Sequence, residues 1–424
     1  IPLVLLLLFV GAIGLAVGIK ATALLLVAPA FTAILCYEFV RVEDVKLRVA
    51  RKILELFIVP GLYALGVFIV CNPYAVIEWK EYLSNIALQS YMVRGLVDWP
   101  FILQYKNTTP YIYHIIEQGR WTIGWPLTIF MYAGTMVLGK QVISRFPLKK
   151  TGYDVAQRLV LLIWVLSYFM LIGGLYVKYP RYMLPIIPIQ IIFAAILLVR
   201  ILKISVTYGL PVVLVVVSTT AVYAIEYVRM YEQPHPWIVA SNWMYRNVDI
   251  GDTVLIEKWD HPLPMPQVRQ LDKLVFKEGF DTVAMNLAEL PDTEQKFTPI
   301  VEDIVQADYI IVASNRNYGP VYGNSELFPY SVKYYQGLFD GTLGYSLALA
   351  ETRHPSFSGI SLRGDPIGSA GINLRDDKKH YDYMHRSVVA DESFTVYDHP
   401  LVLVFYNESK LGYDHMMEVI IGKQ

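Results

Sequence analysis

The sequence predicts two domains of different kinds in one chain: a polytopic α-helical membrane domain with about seven transmembrane helices over residues 1–228, then a small extracytoplasmic α/β domain over residues 229–424. Three observations lead there. Of the 424 residues 55% are hydrophobic and 17% charged, with a mean hydropathy of +0.40, too apolar for an ordinary soluble chain. Seven apolar runs of about membrane length crowd the first 228 positions. The formal net charge of −1 is a cancellation, since 19 Lys+Arg face 10 Asp+Glu up to Val228 and 17 face 27 after it. The same numbers exclude or disfavour a disordered chain, a collagen-like repeat, a disulfide scaffold and a nucleic-acid-binding protein. Cys36 and Cys71 are the only cysteines and both lie in the apolar half, so the acidic half must stand on its own core.

The apolar runs cover residues 1–17, 21–40, 53–70, 122–143, 159–177, 183–199 and 208–228. One such run alone could be a buried soluble helix; seven in succession read as membrane spans in a cell membrane. Arg41, Lys46, Arg48, Arg51 and Lys52 share one short loop, Lys140, Arg145, Lys149, Lys150 and Arg158 the next alternate one, and Arg200 and Lys203 a third. The positive-inside rule makes that side cytoplasmic. The opposite side then receives the turn at Lys20, the long loop 71–121, the short loop 178–182 and everything after Val228. The chain begins inside an apolar run without Met, basic leader or cleavage site, which reads as a fragment whose upstream helices are missing.

Polar residues retained near a membrane are where function is sought. Lys20, in GIKATALLL, reads either as an interfacial lysine that snorkels or as a cation for a lipid-linked phosphate. Lys178 and Arg181, in KYPRYMLPIIP, read either as helix-end anchors or as phosphate ligands, since the Arg fork matches phosphate oxygens. Loop 71–121 is dense in Trp, Tyr, Gln and Asn, which suits interfacial helices and also a carbohydrate site. Its candidates for sugar or acceptor contact are Trp79, Gln89, Asp98, Gln104, Tyr105 and Arg120, joined by Tyr179 and Tyr182 beside the cations. Asp98 reads more readily as a turn residue before Trp99 and Pro100 than as a general base.

The ordered segments GLAVGIKATALLL, NPYAVIEWKEYLSNIALQSYMVRGLVDWPFILQYKNTTPYIYHI, WTIGWPL and YPRYMLPIIP resemble the later helices of prokaryotic membrane glycosyltransferases of family 39. These are relatives of the protein O-mannosyltransferases and lipid A aminoarabinose transferases, with the GT-C fold. The resemblance covers nearly all of residues 1–228, and HPWIVASNWMYRNVDIGDTVLIEKWDHPLP looks like the start of the extracytoplasmic domain that follows in such proteins. It implies an inverting transferase that moves a hexose or pentose from a polyprenyl-phosphate donor to a protein, lipid or glycan acceptor. It carries Lys20 and Arg181 over as donor-phosphate contacts, with Lys178 beside them. The family's catalytic carboxylate lies in a first external loop that these residues do not include, so no catalytic residue is named. No metal site is read from the sequence, and the cofactor question stays between none and a divalent cation. A lipid-carrier flippase or transporter and a non-catalytic scaffold with an extracellular binding domain are the competing functions.

After Val228 the pattern alternates between helix and strand. Residues 237–247 predict an amphipathic helix with Trp237, Ala240, Trp243, Met244 and Val248 on its apolar side. TVLIE and residues 309–313 predict strands, residues 297–306 and 325–339 helices, and residues 343–350 are ambiguous. SFTVYDHPLVLVFYN reads as two strand runs around Asp398, His399 and Pro400, a hairpin signal. EKWDH and SNRNYG follow two predicted parallel strands, so Trp259, Asp260, Asn315 and Arg316 are expected at one sheet edge, either as plain loop ends or as a ligand site. Residues 363–393 read as a long exposed loop, and His380 and His385 have no zinc-site spacing.

Overall fold

The computed structural model describes residues 3–41, 58–145, 152–265, 281–357, 360–361 and 390–422. The chain is mostly helical, 65%, with a small sheet. Lys46, Arg48, Arg51, Lys52, Lys149 and Lys150 of the basic loops, His380, His385 and most of the predicted loop 363–393 lie outside the described residues.

The chain forms two compact units that are not continuous in sequence. One comprises residues 1–94, 109–119 and 124–217; the other comprises residues 95–108, 120–123 and 218–424. Two pieces of the long loop and the end of the last apolar helix group with the C-terminal half in this division, where the sequence reading draws a single boundary at residue 228.

In the first unit α1 (Leu3–Ile19) is followed by a 3-10 turn (Ala21–Leu26), α2 (Val27–Arg41), α3 (Val59–Cys71), α4 (Trp79–Val93), α5 (Ile112–Glu117), α6 (Trp125–Ser144), α7 (Gly152–Ile172) and a second 3-10 turn (Pro180–Met183). Two long helices, α8 (Ile187–Ile204) and α9 (Val206–Arg229), follow, α9 passing into the second unit from residue 218. Four apolar helical runs among the described residues reach membrane length: Trp125–Ser144, Asp154–Ile172, Ile187–Ile204 and the run that starts at Val206. The apolar helices before them are shorter, Leu7–Ile19, Ala21–Cys36 and Val59–Cys71.

Glycine sets how close these helices come. A Cβ on Gly134 of α6 would stand 2.5 Å from the Phe193 carbonyl oxygen of α8, and one on Gly14 of α1 would stand 2.4 Å from that of Ala64 in α3. Small residues at such crossings let backbones touch where water gives no driving force. Gly134→Val is expected to push α6 from α8 and to destabilise the chain in detergent by about 1–3 kcal/mol. Gly139→Val, on the same helix with nothing within 4 Å, is its control. Equal melting temperatures for the two variants would refute the close-packing account.

In the second unit α10 (Pro236–Asn247) precedes β1 (Thr253–Glu257), β2 (Asp281–Met285), α11 (Glu294–Gln306), β3 (Tyr309–Val312), α12 (Tyr318–Gly323), α13 (Pro329–Asp340) and β4 (Tyr345–Glu351). A two-strand ribbon, β5 (Ser356–Phe357) and β6 (Ile360–Ser361), α14 (Glu392–Thr395), β7 (Val402–Asn407) and α15 (Tyr413–Ile421) follow. The sheet order is β2-β1-β3-β7-β4, with β2, β1 and β3 parallel and β7 antiparallel to both its neighbours. Alternation sorts the strand residues onto two faces. Leu255, Ile310, Val312, Leu403 and Phe405 pack with α11, α13 and α15, while Val254, Tyr309, Ile311, Val402 and Val404 pack with Ala240, Met244 and Val248. The predicted apolar side of α10 is the side that is buried.

Two local readings change. SFTV is not a strand: Asp391 accepts a bond from the Ser393 N–H at 2.9 Å and caps a helical turn, so the expected hairpin is one strand preceded by α14. The ambiguous stretch 343–350 becomes β4 by pairing with β7, a long-range contact that no local pattern contains.

Candidate functional site

Lys20 and Arg181, 161 positions apart, meet on one tyrosine. Helix α1 ends at Ile19, and Lys20 takes an extended conformation, φ −152° and ψ 120°. Its carbonyl accepts from the Ala23 N–H at 2.9 Å, which starts the first 3-10 turn and leaves the lysine exposed at the break. Arg181 sits in the second 3-10 turn, opened by Pro180 after an extended Tyr179. The Tyr182 ring centroid lies 5.0 Å from Lys20 Nζ and 6.0 Å from Arg181 Cζ. The guanidinium also lies 4.0 Å from the centroid of Tyr179, a ring fixed by burial.

Partial burial, and then the Arg181 charge, hold the Lys20 ammonium below its usual value. Like charges near one another disfavour each other's charged form, and a shared anion relieves that. A point charge and a planar fork on a common aromatic floor suit a phosphate group, with Arg181 able to bond two oxygens at once.

Lys178 stands differently. It is 1% exposed, and its ammonium donates to the Tyr176 carbonyl at 2.7 Å. Burial lowers its pKa, and its charge, after burial, helps to hold the buried His114 imidazole down at about 4. Sequence reasoning did not single out His114. A lone histidine in a Tyr/Ile-rich helix gives no signal that it will be fully buried.

The predicted sugar and acceptor contacts are divided between the two units, Trp79, Gln89, Tyr179 and Tyr182 in the first and Asp98, Gln104, Tyr105 and Arg120 in the second. Tyr179 and Tyr182 belong to the cation cluster. Trp79 and Gln89 are exposed on α4 about 15 Å apart along its axis. Asp98 and Arg120 are exposed, whereas Gln104 and Tyr105 are used within their own unit. Tyr105, 1% exposed, donates to Asp391 Oδ2 at 2.7 Å, and Gln104 Oε1 accepts from the Glu392 N–H at 3.0 Å. These two residues fasten α14, and the neighbouring Leu103 enters the α/β core.

The expected convergence at the sheet edge occurs. Because β1, β2 and β3 are parallel, the segments leaving them emerge together, and β7, running the other way, brings its preceding segment 391–401 to the same edge. Ser314 Oγ lies 2.8 Å from Asp260 Oδ2, and Arg316 Nη1 donates to the Trp259 carbonyl at 3.2 Å. Arg316 Nε pairs with Glu392 at 3.4 Å, and Thr395 donates to Asn315 Oδ1 at 3.3 Å. Beneath them Glu257 accepts from Asn317 Nδ2 at 3.0 Å and from the Tyr335 hydroxyl at 2.9 Å. Burial pushes the Glu257 and Glu392 carboxyls up to about 8 and raises Asp260 as well. Trp259 adopts φ +75°, a left-handed conformation that costs a bulky residue on the order of 1–3 kcal/mol.

Among the described residues no three His, Cys, Asp or Glu side chains are grouped to hold a metal ion. No family model, curated protein or solved structure matches the chain.

Proposed function

We propose that the chain is the donor-binding part of a membrane glycosyltransferase that takes a sugar from a polyprenyl-phosphate carrier and gives it to an acceptor on the outer face of the membrane. The meeting of Lys20 and Arg181 over Tyr182 carries this reading. Two cations from distant segments, both at breaks between apolar helices, lie against one tyrosine ring, which supports a shared phosphate with the prenyl chain in hydrocarbon. The resemblance of the ordered apolar segments to family 39 enzymes points the same way and supplies the sugar-transfer chemistry. On this reading the membrane part has seven spans, basic loops on the cytoplasmic side and the α/β unit outside.

Lys20 and Arg181 hold the phosphate, and as the glycosidic bond breaks they stabilise the negative charge that returns to it. Tyr179 and Tyr182 fix the cations and offer ring surface to the sugar. The role of general base is not assigned to any residue of this chain.

The test is binding of undecaprenyl-phosphate mannose and undecaprenyl-phosphate aminoarabinose by the full chain in liposomes, with undecaprenol as the uncharged comparison and the carrier followed between leaflets. Retention of a sugar-bearing carrier, without retention of undecaprenol, is the expected result. Carrier that crosses between leaflets with its sugar bond intact would replace the transferase reading with a transporter. Failure to bind either carrier would remove both.

A further inference from the structure

Among the described residues of the first unit, Tyr111 alone of the non-glycine residues has a positive φ, +62° with ψ −52°. The Ile112 N–H donates to the Pro110 carbonyl at 2.7 Å and closes a γ-turn, which in this hand is rare and strained. Such a conformation persists only where its surroundings over-determine it.

The end of α7 does so here. The Tyr111 N–H donates to the Gly173 carbonyl at 3.1 Å, and its hydroxyl donates to the Met170 carbonyl at 3.0 Å. Both acceptors lie in or just past the last turn of α7, where a helix leaves carbonyls without partners of its own. The ring lies 5.6 Å from that of Phe169 and fills a slot that Gly173 and Gly174 leave open. A Cβ on Gly173 would stand 3.0 Å from Tyr111 Cδ1, and one on Gly174 would stand 2.8 Å from the Tyr111 hydroxyl oxygen. The γ-turn reverses the chain at once, so Tyr111 engages α7 while the next residue already begins α5.

What this fixes is the seat of the turn that carries Arg181 and Tyr182. That second 3-10 turn packs against both α5 and α7, and Tyr111 ties the start of the one to the end of the other. The strap that leads from α7 to the turn is held a second time, by the Val93 carbonyl at the end of α4. It accepts from the Tyr176 and Val177 N–H groups at 3.1 and 3.2 Å. With the strap anchored there, a shift of α5 against α7 falls on the turn.

We propose that Tyr111 is a positioning residue for the donor phosphate: it holds α5 on α7, so that Arg181 stays packed on Tyr179 and beside Tyr182, within reach of an anion shared with Lys20. The inference rests on the donor reading for its ligand. It does not rest on that reading for the seating of the turn.

Gly174→Ala tests it, because the added Cβ displaces the Tyr111 hydroxyl while every residue of the cation cluster is unchanged. Hydrogen–deuterium exchange of the full chain in detergent, with no ligand present, reads the turn through the Tyr182 and Leu184 amides, which donate to Tyr179 and Arg181 carbonyls at 2.9 and 3.3 Å. Their exchange is expected to be about tenfold faster in the variant. Affinity for undecaprenyl phosphate should fall by about three- to tenfold with affinity for undecaprenol unchanged, whereas general loosening would lower both. Adding Tyr111→Phe should restore most of both readouts, since it deletes the oxygen that the new methyl group meets. Wild-type exchange of the turn in a Gly174→Ala chain whose melting curve shows it folded would overturn the proposal, as would a double variant no better than Gly174→Ala alone. Equal affinity of the wild-type chain for phosphate and undecaprenol would remove the donor reading and this use of Tyr111 with it. A wild-type preference for phosphate that Gly174→Ala keeps in full would remove the use of Tyr111 alone.

Discussion

Arg181→Ala is expected to weaken binding of undecaprenyl phosphate to the full chain by about one to two orders of magnitude. A charge-assisted hydrogen bond contributes about 1.5–3 kcal/mol, and the guanidinium can form two with one phosphate. Lys20→Ala should cost less, roughly tenfold or below, because an ammonium is a point charge without the fork that lets Arg181 bond two oxygens at once. The double variant should lose more than the product of the singles, because either cation alone still holds the phosphate near Tyr182. Arg181→Lys separates geometry from charge: a point charge keeps the attraction and gives up the fork and the packing on Tyr179, so binding falls between wild type and alanine. Titration against undecaprenyl phosphate in detergent, with undecaprenol as the uncharged comparison, measures all four. Affinity for phosphate should drop as salt is raised, while affinity for the alcohol should not. Equal affinity for phosphate and alcohol in the wild-type chain would sink the donor-phosphate site, as would a double variant that binds like wild type.

How far such a site could be read from sequence differs residue by residue. Lys20 and Arg181 stood out because cations between apolar runs are uncommon, and counting spans put both on one side. That they share a single tyrosine ring depends on tertiary packing, which has no period in the sequence. Lys178, three positions from Arg181, looked equivalent and is buried against a carbonyl; a one-residue difference in facing separates a surface cation from a core one. In the α/β unit, TVLIE and YIIV are legible as short β-branched apolar runs, which a sheet covered on both faces buries. Convergence of EKWDH with SNRNYG then followed from parallel pairing alone. The strand predicted at SFTV failed because β propensity lost to a side-chain cap from Asp391. The roles of Gln104 and Tyr105 were hidden for another reason: their partners, Glu392 and Asp391, lie more than 280 positions away. Nothing in a tyrosine or glutamine marks it as a fastening instead of a sugar contact. Trp259 carried no signal of its left-handed backbone, since only glycine and asparagine announce that conformation.

The buried carboxyls at the sheet edge make the stability of the α/β unit fall as pH rises. Glu257 and Glu392 are 3% and 4% exposed, and burial raises both to about 8, against about 4.3 for a glutamate in an unfolded chain. Between those values the folded chain binds protons that the unfolded chain has lost, so the slope of stability with pH is negative. Their contribution is complete below about pH 4.5 and is gone once pH passes 8. His399, held at about 4 by burial, acts in the opposite sense and only below about pH 6.5, where charging it favours the unfolded chain. The clean window is therefore pH 6.5 to 8.5, with Asp260 adding in the same direction as the glutamates. Across it each carboxyl loses about 2 kcal/mol, and the pair lowers the melting temperature by roughly 10 °C. Glu257→Gln should remove about half of that slope, because the amide cannot titrate yet still accepts from Tyr335 or Asn317. Melting curves of the full chain at half-unit steps, followed by circular dichroism in the strand region, read the slope directly. A melting temperature that is flat or rises between pH 6.5 and 8.5 would contradict the protonated-carboxyl account. A Glu257→Gln variant with the wild-type slope would move the titrating group elsewhere.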